Sequence, residues 1–220
     1  MRQLKFFILI GLSTLLTGCF EIIEELKLNE DGSGKFTMIF NFSQSKTDIN
    51  TILLLDEIHG YKVPSIQEIN LKIERFKDSI SQVKGISNVK TDFNDREYIL
   101  EFSCEFDQVE RLNEGIYKLW HYRDKSNARL EDYFRYQNHV FYRNSGTLIE
   151  VLYQKMKLTD REVLQGAQYT SVYQFSDEVV AQNNSLAKVS SSKNIVFLRS
   201  PIHQLLLNPK LFRNSIKLDQ

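Results

Sequence analysis

The residues of this 220-residue chain that could do chemistry are few: two cysteines, Cys19 and Cys104, four histidines at 59, 121, 139 and 203, and the carboxylate cluster Glu21, Glu24 and Glu25. Thiolates are nucleophiles, imidazoles ligate metals or move protons, and paired carboxylates can act as acid and base. Spacing restricts these options. The histidines are dispersed, and the nearest approach to a ligand set is Asp56-Glu57-Ile58-His59, where Asp56 and His59 would share one face of a helix. An exposed helix end explains that pair better, so no metal is expected. His121, His139 and Asp124 are where a hydrolytic site assembled from distant residues would be sought. The chain has no Walker loop, Gly-x-Ser-x-Gly elbow, His-Glu-x-x-His helix or Cys-x-x-Cys pair, so no cofactor is expected.

The two cysteines have different surroundings. Cys104 lies on the apolar face of an alternating run, with Tyr98, Leu100, Phe102 and Phe106, and reads as a buried structural thiol. Cys19 follows an apolar stretch, Phe6 to Leu16, that is preceded by Arg2 and Lys5 and interrupted only by Gly11, Ser13 and Thr14. That is the layout of a secretory signal peptide, and Leu16-Thr17-Gly18-Cys19 resembles the lipobox of a bacterial lipoprotein precursor. The resemblance implies a diacylglyceryl group on the Cys19 thiol, cleavage between Gly18 and Cys19, and attachment to the membrane by two or three acyl chains such as palmitate. Each buried methylene adds roughly 0.8 kcal/mol of affinity. The run is too short for a membrane span, which takes about 20 apolar residues. Phe20 behind the cysteine favours the outer over the inner membrane of the cell envelope.

Loss of residues 1–18 leaves 202 residues and removes two basic groups, giving 26 Lys and Arg against 28 Asp and Glu. A mature net charge of −2 lacks the basic excess of a nucleic-acid binder, so no nucleic-acid partner is expected. With Cys19 consumed by lipid, Cys104 has no partner for an intramolecular disulfide.

The pattern past the anchor predicts an α+β protein: antiparallel sheets built from β-hairpins, with helices packed on one face. Phe20, Ile22, Glu24, Leu26 and Leu28 alternate with Glu21, Ile23, Glu25 and Lys27, then Asn29 to Gly34 turns into a strand carrying Phe36, Met38, Phe40 and Phe42. The three glutamates read as the solvated face of an edge strand, which charges protect from aggregation. A short helix is expected over Ser45 to Ile58, and a longer one over Ser65 to Val83, started by the Ser65/Glu68 capping box and stopped by Gly85. A second hairpin turns at Asn94-Asp95, and Asp107 and Glu110 open a helix with Val109, Leu112, Ile116 and Leu119 or Trp120 on its inner face.

Residues 19–120 thus form an N-terminal α+β unit. Residues 121–220 form a C-terminal one, His121 to Leu130 being either the linker or a long loop inside one continuous domain. In the second part an aromatic hairpin spans Tyr133 to Arg143, helical patterns cover Thr147 to Met156 and Thr159 to Leu164, and strands run over Tyr169 to Phe175, Ile195 to Leu198 and Leu211 to Leu218. Gln182 to Asn194 reads as a loop, and Leu205 to Leu207 as a helical turn between Pro201 and Pro209. Eight of the ten tyrosines fall between Tyr117 and Tyr173, interleaved with Arg123, Arg129, Arg135 and Arg143. Such rings could stack on sugars or pair with lipid headgroups, but a strand-rich core with phenolic hydroxyls at its rim gives the same count.

The Cys-strand-Asp-Gly-x-Gly-strand opening at Cys19 to Phe42, with hairpin glycines Gly32 and Gly34, and the ending at Tyr169 to Leu218 resemble LppM-like bacterial lipoproteins. That resemblance implies a membrane-attached α+β domain in contact with envelope lipids or glycolipids, with no catalytic residues to transfer. A non-catalytic binding or interaction module of the envelope, with a lipid, glycan or protein partner, is the favoured expectation. A hydrolase and a structural subunit of an envelope complex are the alternatives.

Overall fold

A computed structural model describes residues 20–58, 60–123, 132–144 and 166–219, together with Arg161 and Leu164. The architecture is the expected α+β, with antiparallel pairing throughout these residues except at one interface. Strand β1 (Glu21–Leu28) and strand β2 (Gly34–Asn41) form the first hairpin. Its turn needs glycine twice: Gly32 has φ +83°, and a Cβ on Gly34 would lie 1.9 Å from the Lys27 carbonyl oxygen.

A short helix, α1 (Lys46–Ile52), and a two-residue hairpin of β3 (Glu57–Ile58) and β4 (Tyr61–Lys62) lead to α2 (Ile66–Ser81). Helix α2 begins as predicted, with Ser65 accepting from the Glu68 N–H and Glu68 accepting from the Ser65 N–H. Strands β5 (Ile86–Asn94) and β6 (Ile99–Phe106) make the second hairpin, and α3 (Glu110–Arg123) follows. The aromatic hairpin is β7 (Phe134–Gln137) and β8 (Val140–Arg143), turning through Asn138 and His139.

The last part comprises β9 (Gln168–Phe175), β10 (Val179–Gln182), β11 (Lys188–Val189), β12 (Ile195–Pro201), α4 (Ile202–Leu207) and β13 (Asn214–Leu218). Gln182 to Asn194, expected to be a loop, contains β11, a strand too short to carry an alternation signal. The helical patterns at 147–156 and 159–164 fall outside the described residues, apart from Arg161 and Leu164.

Seven strands form one sheet in the order β11-β12-β9-β1-β2-β6-β5, and four form a second, β10-β13-β8-β7. Strand β1 is therefore central, not the edge its three glutamates suggested. On its inner side it pairs in parallel with β9, so Ile22, Glu24 and Leu26 lie beside Tyr169, Ser171 and Tyr173. One face of the large sheet is covered in two parts. At the β5-β6-β2 end α2 and α3 pack on it, with Phe76 against Phe102 at 4.8 Å and buried Ile80, Val83, Val109 and Leu112 around Cys104 and Phe106. At the β1-β9-β12 end the four-stranded sheet covers it, Phe141 meeting Tyr173 at 5.2 Å and Phe175 at 5.6 Å. Burial of these aromatic and aliphatic side chains stabilises the fold by roughly 25 cal/mol per Å² of apolar surface.

Candidate functional site

A charged residue lies within this aromatic interface from each side. Alternation carries Glu24 to the inner face of β1 between Ile22 and Leu26, and carries Arg143 inward from β8 beside Phe141. Glu24 is 0% and Arg143 1% exposed. Their side chains approach to 3.5 Å, from Arg143 Nε to Glu24 Oε1. Burying two charges costs several kcal/mol per ion unless every lone pair and proton is met. Here the carboxylate is fully met and the guanidinium in large part: Tyr169 and Tyr133 donate to Glu24 Oε2 at 2.7 and 3.1 Å, and Tyr173 and Ser171 to Oε1 at 2.6 and 3.3 Å. Arg143 donates through Nε to the Tyr173 hydroxyl at 3.2 Å, through its terminal nitrogens to the Tyr133 hydroxyl and the Asn144 carbonyl, and stacks 3.8 Å from the Tyr133 ring centroid.

Helix α3 holds the β7–β8 side in place. Asn113 Oδ1 accepts from the Tyr133 and Phe134 N–H groups, both at 2.9 Å, its amide donates to the Phe134 carbonyl at 2.6 Å, and Glu110 accepts from the Tyr136 N–H at 2.9 Å. These bonds occupy the backbone edge that β7 would otherwise present to solvent. Glu110, expected to open α3, thus also ties the helix to β7.

The electrostatics keep this cluster in one protonation pattern. Burial, reinforced by the Glu24 charge, pushes the Tyr169 and Tyr173 phenols well above their ordinary range; burial raises Tyr133 against the pull of Arg143. Burial opposes the Arg143 charge, but Tyr133, Glu24, Tyr173 and Tyr169 together outweigh it and hold the guanidinium protonated. The phenols therefore remain donors near neutrality. The arrangement can hold two sheets together, and its hydroxyls face a carboxylate instead of a cavity.

The tyrosine-rich segment, expected to carry its hydroxyls at the rim, turns three of them inward to Glu24. The sequence does contain the signal: a charged residue on the apolar side of the alternation in both β1 and β8, and Tyr169, Ser171 and Tyr173 sharing one face of a strand. Glu21 and Glu25 lie on the opposite face, as the strand periodicity requires. Glu21 meets Thr170 at 2.9 Å and Arg199 at 3.4 Å. Glu25 borders a depression of about 150 Å³ shared with Lys27, Lys35, Thr37, Ile39 and Glu101.

The other candidate residues are not brought together among the described residues. Leu16, Thr17, Gly18 and Cys19 precede the first described residue, and His59 and Asp124 are also outside that set. His121 falls on α3. His139 is exposed at the β7–β8 turn, next to Tyr136, which borders the β1–β2 hairpin at Gly32; His203 is exposed on α4, which follows the opposite end of the sheet. Asp56 is exposed beyond the end of α1, immediately before β3, so it does not share a helical face with His59. Among the described residues, no three His, Cys, Asp or Glu side chains converge as a metal site. Cys104 is buried as expected, and desolvation followed by the Glu105 charge pushes its thiol up to about 12. No helix of the described residues is long and apolar enough to cross a membrane.

No protein-family model matches the chain, and no curated protein matches it. Among solved structures, it is similar to the NMR structure of the folded domain of Mycobacterium tuberculosis LppM, with a TM-score of 0.40 and 7% identity over 90% of this chain and 89% of that one.

Proposed function

We propose that this chain is a bacterial envelope lipoprotein, acylated on Cys19 after cleavage behind Gly18, whose α+β body is a non-catalytic binding or interaction module held against the membrane, the outer membrane being favoured. The observation that carries this reading is the junction itself. The tetrapeptide Leu16-Thr17-Gly18-Cys19 ends an apolar run and is followed at once by Phe20, which is buried against Phe42 with ring centroids 5.0 Å apart. Phe20, one residue past the proposed acylation position, is thus already part of the packed body and leads directly into β1. The buried groups around Glu24 and Arg143 are spent on one another across the sheet interface, which gives them a structural part.

Metabolic labelling with an alkyne palmitate, read alongside the intact mass of the mature protein, tests the anchor. Label on the wild-type chain and none on Cys19→Ala is expected, with a mature mass that begins at an acylated Cys19. An unlabelled wild-type protein, or cleavage elsewhere, would refute it. Separating inner from outer membranes on a density gradient tests the sorting, and recovery of a stoichiometric partner from detergent extracts would shift the reading toward a subunit of an envelope complex.

A further inference from the structure

We infer that the end of the large sheet from which Cys19 emerges is a bilayer-contacting surface, with Leu54 and Leu207 entering the lipid interface beside the acyl chains; this rests on the acylation reading above. Several elements converge on that end. Phe20 accepts from the Gln168 N–H at 3.0 Å, Glu21 pairs with Asn41, and Gln168 pairs with Pro201, after which α4 starts. Phe42 donates its N–H to Tyr98 at the β5–β6 turn, and that turn holds α1 through Tyr98 to Asn50 at 2.5 Å and Glu97 to Lys46 at 2.6 Å. The start of β1, α1 and the start of α4 therefore lie at the same end of the sheet.

Leu54, just past α1, is 86% exposed and Leu207, at the end of α4, is 76% exposed; these are the two most exposed large apolar side chains among the described residues. Single exposed leucines need no explanation, but both extremes occur at the end where the lipid would be attached. Leu55, next to Leu54 in the chain, is itself about half exposed. Between Cys19 and buried Phe20 there is no linker, and one residue reaches at most about 3.6 Å. Acyl chains in the hydrocarbon therefore bring this end to headgroup depth, where a leucine gains by leaving water. The opposite end, at the Asn29–Ser33 turn, is about 26 Å away along the eight residues of β1.

The test uses the full-length, processed protein reconstituted in phosphatidylethanolamine–phosphatidylglycerol vesicles. Nitroxide labels are placed singly by Leu54→Cys, Leu207→Cys and, on the distal turn, Asp31→Cys; buried Cys104 needs no replacement. Collision with oxygen over a water-soluble nickel chelate reports depth. Labels at 54 and 207 are expected to favour oxygen by about tenfold relative to the label at 31. If 54 and 207 are as aqueous as 31 on protein whose mass shows the acyl chains, the docking surface is overturned while the anchor survives. A mass without acyl chains overturns both. Labels shielded from both collision agents would assign the patch to a protein contact and equally overturn the inference.

Discussion

Removing either member of the Glu24–Arg143 pair should cost far more than a typical substitution, and the two should not cost the same. Glu24→Gln leaves the Arg143 guanidinium buried with only neutral acceptors, the Tyr133 and Tyr173 hydroxyls and the Asn144 carbonyl. Arginine cannot shed its proton, so the charge stays. Arg143→Met instead leaves a carboxylate that still accepts from four hydroxyls, those of Tyr133, Tyr169, Tyr173 and Ser171. Breaking a buried pair costs about 3–5 kcal/mol; Glu24→Gln belongs at the top of that range and Arg143→Met at the bottom. In the double variant the amide introduced by Glu24→Gln can pair with the phenols and no unpaired charge remains, so its cost should fall short of the summed single costs by at least about 2 kcal/mol. Urea melts of the chain from Phe20 onward, which holds every described element, provide the assay. With m near 2.5 kcal/mol/M for a body of this size, a loss of about 4 kcal/mol lowers the midpoint by about 1.6 M. Single variants within about 1 kcal/mol of wild type, or additive costs in the double variant, would refute the claim that this pair joins the sheets.

Cys104, buried with its thiol pushed up to about 12, should not react with a disulfide reagent at pH 8 until urea unfolds the chain; stoichiometric labelling of the native protein would contradict its placement. Asn113→Ala strips three hydrogen bonds from the start of β7 and orphans two backbone N–H groups, and should cost about 2–4 kcal/mol in the same melts. Glu68 is held at about 2 by hydrogen bonding from Lys62 and then from the Ser65 backbone. Because its folded value lies below the ordinary 4.5, its contribution is complete above that pH and lost as pH falls through about 2. The stability gap between wild type and Glu68→Gln should therefore be flat above pH 5 and close by pH 2, and a gap that grows on acidification would reverse the sign of the argument.

Periodicity made most local structure legible. The alternation around Gly32 and Gly34, the Ser65/Glu68 capping box and the aromatic run up to Arg143 each determine an element from neighbours within a few residues, and each element is found. What was not legible is non-local. Whether β1 is an edge or a central strand depends on β9 arriving in parallel from about 150 residues away, as the Glu24–Ser171 register shows, and nothing in Glu21-Ile22-Ile23-Glu24-Glu25 encodes that arrival. Glutamate on an apolar face has two physical solutions, solvent at an edge or a buried cation, and choosing between them requires Arg143, whose own burial depends on the docking of the second sheet. The helix expected to reach Ile58 ends at Ile52 because Leu53, Leu54 and Leu55 lead into the β3–β4 hairpin, a contest of propensity and tertiary pairing that spacing does not reveal.

Buried ion pairs are poor sources of net stability, because desolvation consumes most of the attraction, so the position of this one is better explained by what it forbids. The start of β1 is nearly symmetric under a one-residue slip: Ile22 exchanges with Ile23 and Glu24 with Glu25, leaving the local apolar pattern almost unchanged. A slip in one direction seats Ile23 in the place of Glu24, separating the carboxylate from the three phenols and leaving a guanidinium buried without its counter-charge; a slip in the other direction seats Glu25 there. Farther along, either slip would bring Lys27 inward, in place of Leu26 or of Leu28, both of which are buried. Leu26 and Leu28 therefore exclude both slips from the hairpin end of β1, and Glu24 excludes, nearer Phe20, the one that would put Ile23 in its place. Because the parallel β1–β9 pairing and the contact between the two sheets both pass through that carboxylate, Glu24 ties the first strand to β9 and to the second sheet at once, while Leu26 and Leu28 complete the choice of register.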